Sequence, residues 1–236
     1  MLNKFKKAIT FSFDDGVIQD RKMISLLNKY GLKATFNLNS GKFSETGTMP
    51  FDGRNICNDK VSADEVKELY KGHEVAVHTL THPILPKLSD EEIIYQIETD
   101  RENLEKLVGY EICGMAYPGN GKDKSFDERV FKLIREKTNI KYARTTTDVD
   151  SFDPQEDLIA FNPNMHYFWN RDRMYEMADR FFNTESEKPQ VFYIWGHSYE
   201  LDLLDNVDLW AELEEFFKYI SGRDGVFYGT NAEVLL

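Results

Sequence analysis

The chain is 236 residues long, enough for one large domain with a full core, and its 41% hydrophobic and 14% aromatic content suits a folded globular protein. A formal charge of -12 argues against nucleic acid or an anionic membrane surface as a partner and favours a neutral or cationic substrate. No apolar run approaches the roughly 18 residues of a membrane span, and Lys4, Lys6 and Lys7 precede an apolar stretch too short for a signal peptide, so a cytoplasmic location is expected. Cys57 and Cys113 are far apart and lack metal-type spacing, so both are expected as free thiols.

Ala8 to Phe13 is apolar and β-biased and reads as a buried strand that ends in Asp14-Asp15-Gly16. Two adjacent carboxylates raise one another's pKa unless a cation or hydrogen-bond donors offset them, which points to a metal and a proton-transfer role; taken alone, Asp-Asp-Gly reads equally as a strand-to-loop turn with two solvated aspartates. Gly16 supplies the turn that lets both face one place. Val17 to Tyr30 is an amphipathic helix stopped by Gly31, and Ala34 to Leu38 is a second strand. Residues 39–60 are rich in Gly, Ser, Thr, Asn and Asp and read as a long loop at a substrate rim. Ser62-Ala63-Asp64-Glu65 opens a helix to Lys71, and Glu74 to His78 is a strand preceded by a structural His73. Ser89-Asp90-Glu91-Glu92 opens the longest helix, which stops before Gly109, and Ile112 to Tyr117 is the next strand. Ser125-Phe126-Asp127-Glu128 is a third capping box, for a helix to Lys137, after which Lys141 to Thr145 returns as a strand. Asp148 to Asn164 is a polar connection with a short strand at Ile159 to Phe161. A helix from Asp172 to Phe182, the strand Val191 to Trp195, a helix from Asp208 to Ile220 and the strand Val226 to Tyr228 complete the chain.

This alternation predicts a single α/β domain over residues 1–236, with a parallel sheet or barrel and outer helices. In such folds the residues just beyond the C-terminal ends of the strands build the site. That rule gathers Asp14 and Asp15, His78, Tyr117-Pro118-Gly119-Asn120, Arg144 and Gly196-His197. In His78-x-x-x-His82 the two imidazoles lie four apart, but Thr79 stands where a zinc-peptidase helix has glutamate, and Pro83 keeps His82 out of the helical region. Adding Asp15 gives two imidazoles and one carboxylate, a known donor set for a catalytic zinc with an open position. Taken without Asp15, such a histidine pair is more often two packed or surface residues than a metal site.

Phe13-Asp14-Asp15-Gly16, His78-x-x-x-His82, Tyr117-Pro118-Gly119 and Trp195-Gly196-His197, in this order, resemble the motifs of the polysaccharide deacetylase family, the metal-dependent chitin, peptidoglycan and acetylxylan deacetylases. The resemblance implies a distorted (β/α) barrel of about seven parallel strands with outer helices. It also implies one divalent metal ion, zinc foremost with cobalt, manganese or nickel as alternatives, held by Asp15, His78 and His82. Asp14 is then the general base, His197 the general acid, and the backbone N–H of Gly119 an oxyanion donor. The substrate expected is an N- or O-acetylated sugar or oligosaccharide. No nucleic-acid, membrane or protein partner is expected.

One position departs from the family pattern: the arginine two residues before the proline is Ala116 here. Arg144 is the candidate replacement, orienting Asp14 from the next strand; a structural arginine is the alternative. His166 either contacts substrate or the acid, or is a surface histidine. Tyr167, Phe168, Trp169, Trp195 and Tyr199 either stack on sugar faces or, the commoner fate of aromatics, pack in the core. Glu200 and Asp202 either tune His197 or bind a cationic product, or are solvated acids. Two other functions stand beside deacetylation: hydrolysis of a small amide or cyclic ureide on the same scaffold, and catalytically silent carbohydrate binding.

Overall fold

A computed structural model describes residues 5–119 and 124–236, so Lys4 and Asn120 lie outside the described residues. The strands are β1 (Lys7–Asp14), β2 (Ala34–Leu38), β3 (Thr48–Phe51), β4 (Arg54–Cys57), β5 (Glu74–Val77), β6 (Gly114–Ala116), β7 (Tyr142–Arg144), β8 (Met165–His166), β9 (Gln190–Gly196) and β10 (Val226–Tyr228). The α-helices are α1 (Asp20–Lys29), α2 (Val66–Leu69), α3 (Asp90–Val108), α4 (Glu128–Lys137), α5 (Met174–Asn183), α6 (Leu209–Ile220) and α7 (Asn231–Leu235).

Eight strands form one curled, all-parallel sheet in the order β7-β6-β5-β2-β1-β9-β8, with β10 also on β1. One edge of β1 is shared, Lys7–Ile9 pairing with β10 and Phe11–Asp14 with β2, while β9 runs along the other. Because β1 is paired along both edges, every residue from Ala8 to Asp14 is buried. The sheet curls into a half-barrel that is open between β7 and β8. The connection between those strands crosses the gap: Phe161 N–H donates to Ala143 O at 3.0 Å, Thr145 N–H to Phe161 O at 2.8 Å, and Asn164 N–H to Tyr193 O at 2.8 Å.

The strand period of two sorts β1 onto two faces. Ile9, Phe11 and Phe13 join the main apolar core with Met23 and Leu27 of α1 and Phe216 and Phe217 of α6. Thr10, Ser12 and Asp14 alternate with them and meet polar partners. Thr10 Oγ1 donates to Asn231 Oδ1, and Asn231 in turn donates from Nδ2 to Tyr193 OH and from its backbone to Thr35 Oγ1. Thr35 and Tyr142 hydroxyls both donate to the half-buried Glu74 carboxyl at 2.7 Å, and Asn37 Nδ2 donates to Ser12 Oγ and Asp14 Oδ1, both at 2.8 Å. A hydrogen-bonded polar ladder, in which Asn37 Oδ1 alone of these side-chain atoms is buried without a partner, therefore lies along β1 and ends at Asp14, where a carboxylate would be costly without partners.

Several elements differ from the sequence-based expectation. Residues 39–60 are not all loop, because β3 and β4 form an antiparallel hairpin in which Phe51 pairs with Arg54. Its turn has Asp52 and Gly53 at φ of 48° and 76°, the left-handed pair that an Asp-Gly hairpin needs. The helix expected from Ser62 is the single turn α2, and α4 is capped by Asp127, whose carboxylate accepts from Val130 N–H at 2.9 Å. Ser125 is instead buried, donating to Pro83 O and accepting from Leu85 N–H, so its hydroxyl is used up by the turn that follows His82. Leu158–Ala160 is a 3-10 turn rather than a strand, and the two-residue β8 and the terminal α7 were not expected. Among the described residues no helix is long and apolar enough to cross a membrane.

Candidate active site

An open cavity of about 830 Å³ lies over the C-terminal ends of the strands and is lined by Asp14, Asp15, His78, His82, Tyr117, Gly119, His166, Trp195 and His197. Its floor begins with Asp14, the last residue of β1. Asp14 Oδ1 accepts from Asn37 Nδ2, and Oδ2 accepts from Arg144 Nη2. Arg144 is wholly buried, its Nη1 donates to Thr145 O at 3.1 Å, and its guanidinium lies 4.2 Å from the centre of the Trp195 ring. Burial pushes the Asp14 carboxyl up; the guanidinium, followed by His78 and His197, outweighs it and holds Asp14 below the usual carboxylate range. Arg144, one strand away from Ala116, thus occupies the place expected for a partner of the base.

The chain turns sharply after Asp14. Asp15 has φ of 81° and Gly16 of 60°, and Asp15 N–H donates to Asn37 O at 3.0 Å, which swings the second carboxylate out toward His78 and His82. Asp15 Oδ1 is 3.7 Å from both His78 Nε2 and His82 Nε2. The possible ligand atoms of these three residues all lie within 4.8 Å of one another. His78 Nδ1–H donates to Ala116 O at 2.9 Å, so the lone pair of Nε2 faces the cluster, and burial keeps the ring neutral with its pKa pushed down to about 4. His78 Nε2 is buried without a hydrogen-bond partner. A deeply buried acceptor with no donor, converging with a second imidazole and a carboxylate, fits a divalent cation.

The histidine turn is fixed from below. Asn39 Nδ2 donates to the carbonyls of His78 and Thr79 at 2.6 and 2.7 Å, and Thr79 Oγ1 accepts from His82 N–H at 3.1 Å. Thr79 and His82 both have positive φ, 67° and 61°. His73 is also buried, between Ala34 N–H and Asn28 Oδ1, away from the cavity.

On the opposite wall His197 follows β9. Its Nδ1 is 3.2 Å from Glu200 Oε1, out of line for a hydrogen bond, and the same oxygen is 3.3 Å from His166 Nε2. Glu200 Oε2 accepts from His197 N–H at 2.9 Å. Burial alone lowers the pKa of His197, but Glu200, with Asp15 and Asp14 beyond it, pushes it up to about 9. Burial raises the Glu200 carboxyl in turn, and His166 and His197 pull it down to about 2. His166 is not a surface histidine: it lies on β8, is 4% exposed, and accepts from Trp169 N–H at Nδ1. Asp202 faces elsewhere, accepting from Gln19 Nε2 and Trp210 Nε1.

Of the motif residues after β6, Tyr117 and Gly119 line the cavity, while Pro118 is buried and the Tyr117 hydroxyl donates to Ile159 O at 2.8 Å. Tyr167, Phe168, Trp195 and Tyr199 are buried; Trp169 alone of that group is 66% exposed, at the cavity rim with Phe51 of the hairpin. Three contributors escaped the sequence reading. Asn37 binds Asp14; Asp148 accepts from Trp195 Nε1 at 2.9 Å and from His166 N–H at 3.2 Å; Lys60 stands 3.7 Å from Asp15 Oδ2. None belongs to a periodic or spaced motif that a sequence scan detects.

The polysaccharide deacetylase family model matches residues 2–137, more than half of the chain. The chain belongs to the polysaccharide deacetylase family. The match includes Asp14, Asp15, His78, His82 and Tyr117 to Gly119, whereas Arg144, His166, Trp195 and His197 lie beyond its end. No curated protein matches the chain. Among solved structures, the peptidoglycan deacetylase PdaC from Bacillus subtilis is 19% identical with a TM-score of 0.55, over 97% of this chain and 90% of that one. A family 4 carbohydrate esterase from Streptomyces lividans, in complex with acetate, is 15% identical with a TM-score of 0.57, over 95% and 93%. A CE4 family pseudoenzyme from Bacillus anthracis is 17% identical with a TM-score of 0.54, over 98% and 66%. At these identities the likeness is one of fold, the curled parallel half-barrel with its helices.

If Asp15, His78 and His82 are the metal ligands, replacing any one by Ala leaves an incomplete cage. Elemental analysis of the purified variants is expected to find less than a tenth of the wild-type metal content, and stoichiometric metal in all three would refute the assignment.

Proposed function

We propose that the protein is a metal-dependent hydrolase that removes acetyl groups from an N- or O-acetylated carbohydrate. The observation that carries this reading is the pairing, across one cavity, of a carboxylate held ionised by a buried arginine with a histidine held protonated by a buried glutamate, beside the Asp15, His78 and His82 cluster. A base and an acid whose environments push their pKa values apart make an acid–base pair suited to neutral pH.

Asp15 Oδ1, His78 Nε2 and His82 Nε2 are the atoms proposed to hold the ion, with zinc favoured by the mixed imidazole and carboxylate donors. When bound, it supplies Lewis acidity toward the acetyl carbonyl and acidifies water. Asp14, fixed by Asn37 and Arg144, accepts the proton of the attacking water. Gly119 N–H, on the cavity wall, is the proposed donor to the developing oxyanion. His197 gives its proton to the departing sugar nitrogen or oxygen, so that acetate and a free amine or alcohol result. Trp169, exposed at the rim, offers an aromatic face for a sugar ring.

An acetate-release assay on chito- and xylo-oligosaccharides and on small amides, with and without chelator, tests the reading. Release from acetylated sugars that is lost with chelator and restored by zinc or cobalt is expected. Turnover of small amides alone points to the C–N hydrolase, and metal binding with no turnover to the silent form. For Arg144→Ala, removing a positive neighbour raises the pKa of the base, so the acidic limb of the pH–rate profile moves upward by about 1–3 units while metal content is unchanged. Arg144→Lys restores it in part, because an ammonium lacks the planar fork. An unshifted limb would separate Arg144 from the base. Glu200→Gln acts in the opposite sense: His197 loses the carboxylate that keeps it protonated up to about pH 9, so the alkaline limb moves to lower pH. An alkaline limb unchanged in Glu200→Gln would assign the acid elsewhere.

A further inference from the structure

Lys60 belongs to none of the family-like motifs, yet its position is tightly set. Lys60 N–H donates to Glu45 O at 2.8 Å, Val61 N–H donates to Gly16 O at 2.9 Å, and Val17 and Lys60 form an antiparallel bridge. The backbone is thereby tied to the turn that carries Asp15. The side chain is 5% exposed, with Nζ at 3.2 Å from Asn58 Oδ1 and 3.7 Å from Asp15 Oδ2. A buried ammonium is costly unless an anion faces it, and among the described residues Asp15 is the carboxylate within ion-pair distance.

The two oxygens of Asp15 are therefore divided. Oδ1 faces His78 Nε2 and His82 Nε2, and Oδ2 faces Lys60. The charges are divided as well: the buried Asp14 is opposed by Arg144 and the half-buried Asp15 by Lys60, two carboxylates against two buried cations. A dication entering this cluster finds little net negative charge to attract it. Once held, it keeps more of its own charge for an incoming carbonyl oxygen than it would beside unopposed carboxylates.

We propose that Lys60 is a positioning residue for the ion: it occupies Asp15 Oδ2, restricts Asp15 to ligation through Oδ1, and weakens metal retention by like-charge repulsion. The inference rests on the metal reading of Asp15, His78 and His82 given above. Its signature is that removing a side chain beside the ligand tightens metal binding, where loss of a merely structural contact would weaken it.

The test is competition with a chromogenic chelator for Zn²⁺ and Co²⁺, on the full chain at one pH and ionic strength. Lys60→Met is expected to bind both ions at least about tenfold more tightly than the wild type, since a nearby positive charge is gone. Lys60→Arg keeps the charge and stays within about threefold of wild type. The visible band of the Co²⁺-loaded Lys60→Met protein is expected to weaken as Asp15 Oδ2 joins the coordination. If Lys60→Met does not fold, Lys60→Gln carries the same expectation. Equal or weaker affinity in the folded neutral variant overturns the role of Lys60 alone. A wild-type chain that binds neither ion overturns the metal reading and this inference together.

Discussion

An ionised Asp14 at the end of a buried strand is the constraint on which the rest of the site depends. Breaking a buried ion pair by removing one partner costs about 3–5 kcal/mol, so Asp14 commits Arg144 to the interior as well. Arg144 in turn needs a surface to lie on, and the Trp195 ring supplies it. Trp195 is oriented by Asp148, and the other oxygen of Asp148 accepts from the backbone of His166 on β8. His166 reaches Glu200, and Glu200 holds His197. From the proposed base on β1 to the proposed acid after β9 the contacts form one connected set, so the two ends of the reaction are positioned by the same core.

Polarity inside the half-barrel is the structural condition for this arrangement. An all-apolar lining would leave the Asp14 carboxylate with one partner, and it would then protonate rather than stay ionised. Thr10 with Asn231 and Tyr193, Thr35 and Tyr142 with Glu74, and Ser12 with Asn37 are instead hydrogen-bonded below it. Burial pushes the Glu74 carboxyl up, the expected result for an acid with neutral donors and no cation. Asp14, on the same inward side of β1, has a cation and shifts the other way. The difference between the two carboxyls is Arg144.

What was legible in the sequence follows from how each residue is constrained. Strand ends of a parallel sheet converge, and so Asp14, Asp15, His78, Tyr117 and His197 could be gathered from their places after apolar runs. Arg144 was legible for the same reason, one strand beyond the position where the family pattern has its arginine. The β3–β4 hairpin carried a readable Asp52-Gly53 turn that the polar composition of residues 39–60 obscured. β8 was not legible, since two residues have no period, and its existence depends on β9 lying beside it. Lys60 looks like a loop charge in sequence, and only the approach of Asp15 makes it a buried partner; Glu200 was open between tuning His197 and a solvated acid, and its contacts with two histidines decide for the first. At Ser125 a local pattern competed with tertiary structure, and the turn at Pro83–Leu85 won the hydroxyl that a capping box would have used.

Backbone strain at the candidate metal cluster points the same way. Among the described non-glycine residues, positive φ occurs at Asp15, Ser44, Asp52, Thr79 and His82, and three of these carry or immediately follow a candidate ligand. Aspartate and histidine tolerate the left-handed region better than most, but a β-branched threonine does not. Conformations of this kind cost about 1–3 kcal/mol each and persist where the surroundings over-determine them. Here Asn37 O holds the Asp15 N–H, Asn39 grips the His78 and Thr79 carbonyls, and the Thr79 hydroxyl closes the turn on His82. The imidazoles and the carboxylate are thus brought to one point by hydrogen bonds of the fold itself. Without them, Asp15 and His82 would relax toward ordinary backbone angles and the three donors would separate, so Asn37 and Asn39 belong to the site as much as the candidate ligands they aim.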